Sequence, residues 1–176
     1  GLNPTLVDQT YEEILSIIDN MSKVMEYSPS VFNKIDEEDL RIHFLVQLNG
    51  QYEGEAMGEV FNLDGKTDIL IRHEGTNIFI AECKYWHGEK ELIEAIDQLL
   101  GYISWRDTKT SIILFNKNQN FSNVLLQIPE IVKKHKNYKS YEEKSGNETS
   151  FRFIMKNKND EGKHFVLTIK LFDVPK

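Results

Sequence analysis

The chain has 176 residues, of which 40% are hydrophobic, so it fits one domain whose core holds several helices around a sheet. Cys83 is the only cysteine, which excludes a disulfide framework or thiolate zinc cluster and favours the cytoplasm; no apolar run reaches the roughly 18 to 20 residues that cross a bilayer. The net charge of −7 is unusual for a phosphate-binding protein, but the first 60 residues hold 12 acidic and 3 basic side chains, and the remainder is nearly balanced.

The beginning of the chain and the lack of an internal repeat, low-complexity tract or domain boundary in its sequence determine the expected domain organisation. Gly1 stands where an initiator methionine is expected, which predicts a domain cut from a longer protein whose other domains are missing. We expect a single domain over residues 1–176. It would comprise an N-terminal helix up to residue 30, a core over 36–135 and a β extension over 138–176.

Two helices are predicted before the first strand. Thr10 and Glu13 form a capping-box pattern that predicts the start of the first helix, and Ser28-Pro29 predicts its end. Asp36 is a favourable N-cap for the second helix, which is predicted to stop at Asn49-Gly50.

Beyond the second helix the pattern changes to that of strands. Residues 52–61 form one predicted strand, and residues 67–72 and 77–85 form a hairpin around a three-residue loop, 74–76. Residues 78–81 are apolar at every position. This run predicts a central strand that helices cover on both faces.

The remaining elements alternate between helix and strand. We predict a helix over 92–105, a strand over 111–115, a helix over 122–134, and a C-terminal β-hairpin with strands 151–155 and 164–172. The helix over 122–134 either ends near Pro129 or passes through it. This order of elements predicts an α/β fold.

The predicted hairpin carries three charged residues that point to chemistry. With a three-residue loop, residues whose numbers add to 150 face each other, so Asp68 lies opposite Glu82. Lys84 shares the face of Glu82, because alternate residues of a strand point to the same side. A two-residue turn would instead place Asp68 on the other face.

Two carboxylates in an apolar setting are costly to bury unless a cation lies between them. Oxygen ligands with room for water favour magnesium or manganese over zinc. Such an ion can polarise a phosphoryl oxygen and lower the pKa of a bound water, and Lys84 can orient that water or stabilise the developing charge. The alternative interpretation is a cross-strand ion cluster on an exposed sheet face.

The segment Gly65-Lys66-Thr67-Asp68-Ile69-Leu70-Ile71, followed by Ile80-Ala81-Glu82-Cys83-Lys84, resembles the split signature of PD-(D/E)xK nucleases, with Thr67 in place of the proline. The resemblance implies a restriction endonuclease-like, three-layer α/β/α fold with a mixed central sheet, here with a C-terminal β-hairpin added. It implies that Asp68 and Glu82 bind Mg²⁺, for which Mn²⁺ can substitute. The Cys83 carbonyl would be a further ligand, and Lys84 would serve the attacking water.

Two further features resemble parts of nucleases with this fold. Such families often place a glutamate near the metal on the helix before the sheet; Glu38 is the preferred candidate, with Glu37 and Glu59 as alternatives. Gln98 and Tyr102 resemble the Gln-x-x-x-Tyr motif of RecB-like and Cas4-like nucleases, which would aim an amide and a phenol at the scissile phosphate. Both features also fit structural roles, as acid at a helix N-terminus and as the polar flank of an amphipathic helix.

The expected function is therefore metal-dependent hydrolysis of DNA in restriction, phage defence or repair, with RNA as an alternative substrate. A second hypothesis is a catalytically degenerate member of the same fold that binds nucleic acid or a protein without cutting. Double-strand cleavage needs two active sites, so a homodimer is an additional expectation.

Overall fold

The computed structural model describes residues 4–52, 56–62, 65–73, 76–104, 109–117, 120–142 and 147–175. The helices are α1 (Pro4–Tyr27), α2 (Pro29–Phe32), α3 (Glu37–Tyr52), α4 (Glu89–Tyr102) and α5 (Phe121–Lys133). The strands are β1 (Ala56–Asn62), β2 (Gly65–His73), β3 (Thr76–Tyr85), β4 (Lys109–Asn116), β5 (Tyr138–Glu142), β6 (Ser150–Lys156) and β7 (His164–Asp173). None of the described helices combines the length and hydropathy needed to cross a membrane.

The strands form one open sheet in the order β1-β2-β3-β4-β7-β6-β5. The central strands β3, β4 and β7 are parallel to one another. The other pairs of neighbouring strands are antiparallel. The predicted α/β class with a mixed sheet is confirmed. The C-terminal hairpin β6–β7 also forms, but it continues the central sheet because β7 pairs with β4. Strand β5, at the edge, was not predicted.

Helices pack on both faces of the sheet, so that the central strand β3 is buried on both sides. Ile80 packs with apolar residues of α4 and α5 on one face, and Ala81 and Cys83 pack with those of α1 and α3 on the other. The prediction from the apolar run 78–81 is confirmed. Alternation along β3 consequently sends Glu82 and Lys84 toward the face that α4 covers.

The ends of the first two long helices differ from the prediction. Helix α1 begins at Pro4, so Thr10 lies inside the helix and is not its N-cap. Asp36 does cap α3, since its Oδ1 accepts the Asp39 N–H at 2.8 Å. The helix then continues through Gly50 to Tyr52, because Leu40, Phe44 and Leu48 are buried in the preceding turns and a helical glycine costs only about 1 kcal/mol.

Helices α4 and α5 also shift slightly from their predicted ends. Helix α4 starts directly after Gly88, whose φ of +105° is a conformation that favours glycine. Its last residue is Tyr102, and Trp105, the predicted end, lies outside the described residues. Helix α5 passes through Pro129 and ends at Lys133, which selects the second of the two predicted alternatives.

Candidate active site

The register between β2 and β3 brings the two predicted acids together. Ile69 pairs with Ala81, as the prediction requires. One step further along the same register places Asp68 opposite Glu82. The two carboxyl groups interact closely, since a hydrogen bond that the protonated Glu82 donates to Asp68 is among the causes that raise the Glu82 pKa.

The predicted cause of this register is wrong. His73 pairs with Thr76, so Thr76 belongs to the strand pair and not to a three-residue loop. The one-residue offset arises instead between Ile71 and Arg72, where the register shifts and Ile78 becomes the extra residue on β3. A β-bulge of this kind moves the strand pairing by one position. Asp68 therefore lies on the same face as Glu82, whereas a two-residue turn without the bulge would place it on the opposite face.

The side chain of Asp68 links β2, β3 and α3. Its Oδ2 accepts the Cys83 N–H at 3.0 Å, and its Oδ1 lies 3.8 Å from Nη1 of Arg41. The side chain is 22% exposed, so solvent reaches this edge of the site. A strand residue presents its N–H and its C=O to the same neighbour, and the Cys83 carbonyl therefore also points toward β2.

Glu82 is the most deeply buried carboxyl group of the site, with 1% of its surface exposed. Its Oε1 has no hydrogen-bond partner among the described residues. Burial, followed by the negative charge of Asp68 and a hydrogen bond with it, raises the pKa of Glu82 to about 9; Lys84 acts in the opposite direction. Without a further cation, Glu82 therefore keeps its proton at neutral pH.

The donor set fits a hard divalent cation with few protein ligands. Within the described residues, no group of three or more His, Cys, Asp or Glu side chains could hold a metal ion. Two carboxylates and the Cys83 carbonyl nevertheless form an oxygen set, and the buried Oε1 of Glu82 is an acceptor that a cation would satisfy. Mg²⁺ commonly uses one or two carboxylates and retains several waters, so the residues present fit Mg²⁺ or Mn²⁺.

Cys83 faces Asp68 with its backbone, and its thiol lies on the opposite side of the sheet from Glu82. The side chain is buried in the apolar layer on the α1 and α3 side of the sheet. Burial, then the charges of Asp68, Glu37 and Glu82, raise the pKa of the thiol well above its usual value. A protonated, buried thiol is not a metal ligand, so only the carbonyl of this residue fits the expected role.

Of the predicted Gln-x-x-x-Tyr pair, the structure brings Tyr102 to the carboxylates. Tyr102 is half-buried at the end of α4, and its pKa is raised by burial and then by the charges of Glu82 and Asp68. Gln98, one turn earlier on α4, is exposed to solvent. The tyrosine thus lies beside the acids, and the glutamine lies at the rim.

The structure favours Glu37 over Glu38 as the acid contributed by α3. Glu37 Oε1 accepts the Tyr85 N–H at 2.9 Å, and its charge contributes to raising the pKa of Glu82. Glu38, the preferred candidate from sequence, is 68% exposed and lies 3.5 Å from Arg41. The side chain of the third candidate, Glu59, lies outside the described residues.

Tyr85 fixes the start of α3 beside the site. Its hydroxyl donates to the Ile35 carbonyl, just before α3, and its N–H donates to Glu37. The ammonium of Lys117 lies 3.8 Å from the centre of the Tyr85 ring. These contacts join the end of β3 to the helix that carries Glu37.

Arg41 is the residue near the site that sequence reasoning missed. It is 8% exposed and faces Asp68 from α3. Its spacing from Glu38 predicts an ion pair along the helix, but nothing in the sequence indicates contact with a residue 27 positions later.

No protein-family model matches the chain, and comparisons with curated proteins and with solved structures found no match. Function must therefore be inferred from the arrangement of Asp68, Glu82 and their neighbours.

Proposed function

We propose that this protein is a metal-dependent nuclease of the PD-(D/E)xK type, with a restriction endonuclease-like fold, that hydrolyses phosphodiester bonds of DNA. The observation that carries the proposal is the pairing of Asp68 with the buried Glu82, whose Oε1 has no partner in the described part of the chain. An idle ion cluster would pair its acids with cations at an exposed surface. Here an acceptor is held away from water, which is costly without a ligand.

Each residue of the site has a distinct role in this proposal. Asp68, Glu82 and the Cys83 carbonyl hold the cation. When bound, Mg²⁺ supplies positive charge to a phosphoryl oxygen and lowers the pKa of the attacking water. Lys84 orients that water and stabilises the negative charge that develops on the phosphoryl group. The Tyr102 hydroxyl donates to a phosphate oxygen.

The architecture supports this assignment of fold without determining it. A mixed sheet with helices on both faces presents the end of the β2–β3 pair at an edge where Asp68 is partly exposed. A phosphodiester can approach there without unfolding the core. Restriction, phage defence or repair is the setting that we propose for the activity, with a homodimer for double-strand cleavage.

A non-cleaving module of the same fold is the competing proposal, and the net charge of −7 supports it. An acidic surface repels nucleic acid unless cations are concentrated at one place. The presence of all three of Asp68, Glu82 and Lys84 supports the enzyme, since the loss of any one would remove metal binding or the activation of water.

The direct test is cleavage of plasmid and single-stranded DNA, and of RNA, with Mg²⁺, Mn²⁺, Ca²⁺ or chelator. We expect Asp68→Asn and Lys84→Met each to lower the rate about 100-fold or more while the circular dichroism spectrum stays unchanged. Lys156→Met is the matched control, because Lys156 is also a half-buried strand lysine but lies on β6. Cleavage that persists in both site variants removes the enzymatic assignment.

Calorimetric titration with MnCl₂ distinguishes the enzyme from the non-cleaving module. The enzyme is expected to bind Mn²⁺ at a site that Asp68→Asn and Glu82→Gln weaken. Nucleic-acid binding that is unaffected by these substitutions and by chelator, with no cleavage, would support the module.

A further inference from the structure

Arg41 is a buried cation directly beside the proposed metal site. Its Nη1 lies 3.8 Å from Asp68 Oδ1, and its Nη2 lies 3.5 Å from Glu38 Oε1. The side chain is only 10% exposed, whereas Glu38 is 68% exposed. Since a guanidinium stays charged at any physiological pH, this positive charge is a permanent part of the site.

A bound divalent cation would share the Asp68 carboxylate with this guanidinium. Like charges a few ångströms apart repel, and screening by water and salt is weaker beside a side chain as buried as that of Arg41 than at an open surface. Arg41 and a metal ion are therefore alternative counter-charges for the same carboxylate, that of Asp68. The charge of Arg41 must weaken metal binding, and a bound metal must weaken the interaction of Arg41 with Asp68 by the same free energy.

We propose that Arg41 is a built-in counter-cation that stabilises the metal-free site and lowers its affinity for a divalent metal. The inference rests on the proposed function, because it takes Asp68 and Glu82 as metal ligands. It assigns Arg41 as a positioning residue, which acts through Asp68 and sets the metal concentration at which the site fills. Glu38 acts one step further away, by anchoring the outer end of the guanidinium.

The test is titration of the full chain with MnCl₂ by calorimetry, without nucleic acid. We expect Arg41→Met to bind Mn²⁺ at least about fivefold more tightly than the unsubstituted protein, and Arg41→Lys, which keeps the charge, to bind nearly as the unsubstituted protein does. Arg152→Met is the matched control. Arg152 is 12% exposed and pairs with Glu12, and it lies on β6, four strands away from Asp68.

Thermal unfolding provides a second readout that a purely structural ion pair would not change. In chelator, Arg41→Met is expected to unfold at a lower temperature than the unsubstituted protein. MnCl₂ is expected to raise the unfolding temperature of Arg41→Met by more than that of the unsubstituted protein. Arg152→Met is expected to unfold at a lower temperature, but MnCl₂ is expected to raise its unfolding temperature by as much as that of the unsubstituted protein. If Arg41→Met does not fold, Arg41→Gln replaces it, because the amide keeps a polar partner for Asp68.

The outcomes separate this inference from the proposed function. Equal or weaker Mn²⁺ affinity in a folded variant lacking the Arg41 charge overturns the inference and leaves the metal site standing. An absence of Mn²⁺ binding to the unsubstituted protein and to the Arg41 variants alike overturns both.

Discussion

Two regions of the sheet each contain a buried ionisable side chain, but the two side chains differ in their hydrogen-bond partners. Under α1, Lys170 is 3% exposed, and its ammonium lies 2.8 Å from Asp19 and 3.3 Å from the Ser150 hydroxyl. At the candidate active site, Glu82 is equally buried, but its Oε1 has no partner within the described residues. The first region pairs its charges, and the second keeps an acceptor unsatisfied.

The difference separates groups that are paired within the fold from a group that is not. The region under α1 also contains Arg152, whose guanidinium pairs with Glu12 and donates to Thr168 Oγ1 at 3.2 Å. Among the side chains of α1 that the structure describes, the buried polar atom without a partner is a hydroxyl, Ser22 Oγ, which carries no charge. A carboxyl group that burial and a neighbouring acid keep protonated adds no ion pair to the fold, and we propose that a ligand explains its retention.

The largest loss of stability is expected from breaking the ion pair between Lys170 and Asp19 under α1. Asp19→Ala leaves the Lys170 charge buried and is expected to lower the free energy of unfolding by about 3 kcal/mol, measured by guanidinium denaturation. The double variant Asp19→Leu with Lys170→Met removes both charges and should recover most of the loss. A loss below about 1 kcal/mol for Asp19→Ala would mean that this pair does not stabilise the docking of α1.

The pH dependence of stability tests the burial of the Glu82 carboxyl group. Because the pKa of Glu82 is raised from 4.5 to about 9, the unfolded chain releases this proton first, and the metal-free protein should lose stability as pH rises through that window. The slope contributed by one group is at most about 1.4 kcal/mol per pH unit. Glu82→Gln has no proton to release and should be more stable than the unsubstituted protein by about 2 kcal/mol in mildly alkaline chelator buffer. Stability curves that run parallel across this pH range would contradict the burial of an unpaired Glu82.

The smallest effects should distinguish the two acids of α3. Glu37→Ala leaves the Tyr85 N–H without its acceptor and is expected to cost about 1.5 kcal/mol of stability. Glu38→Ala removes an exposed pair three residues apart, which is worth about 0.5 kcal/mol or less. Denaturant unfolding measures both, and cleavage assays should show the larger loss for Glu37→Ala. The reverse order would restore the preference for Glu38 that the sequence suggested.

Much of the site was predictable because a strand has a fixed side-chain period of two. That period places Glu82 and Lys84 on one face whatever the rest of the fold does. The position of Asp68 opposite Glu82 was predicted correctly, but from an incorrect loop length. The one-residue offset in strand pairing comes from a register shift near Ile71 and not from the loop. A bulge is a property of strand pairing, and no residue in the sequence marks it.

Helix ends and helix partners were less predictable. Helix α3 runs past Gly50 although glycine is a poor helix former, because Leu40, Phe44 and Leu48 pack the preceding turns against the core and one glycine costs only about 1 kcal/mol. The choice between Glu37 and Glu38 depended on Tyr85, which is 48 residues further along the chain than Glu37. The side chains of two consecutive helical residues point about 100° apart, and only the docking of α3 on the sheet decides which of them reaches the site.

The sequence by itself determined the α/β class, the central strand buried on both faces, and the shared face of two charged residues on that strand. Local periodicity and side-chain chemistry suffice for each of these. Only the tertiary structure decided that Arg41 faces Asp68 and that Glu82 has an oxygen with no partner among the residues that the structure describes. Both depend on distances between elements far apart in the chain, and those distances are set by how whole helices pack on the sheet.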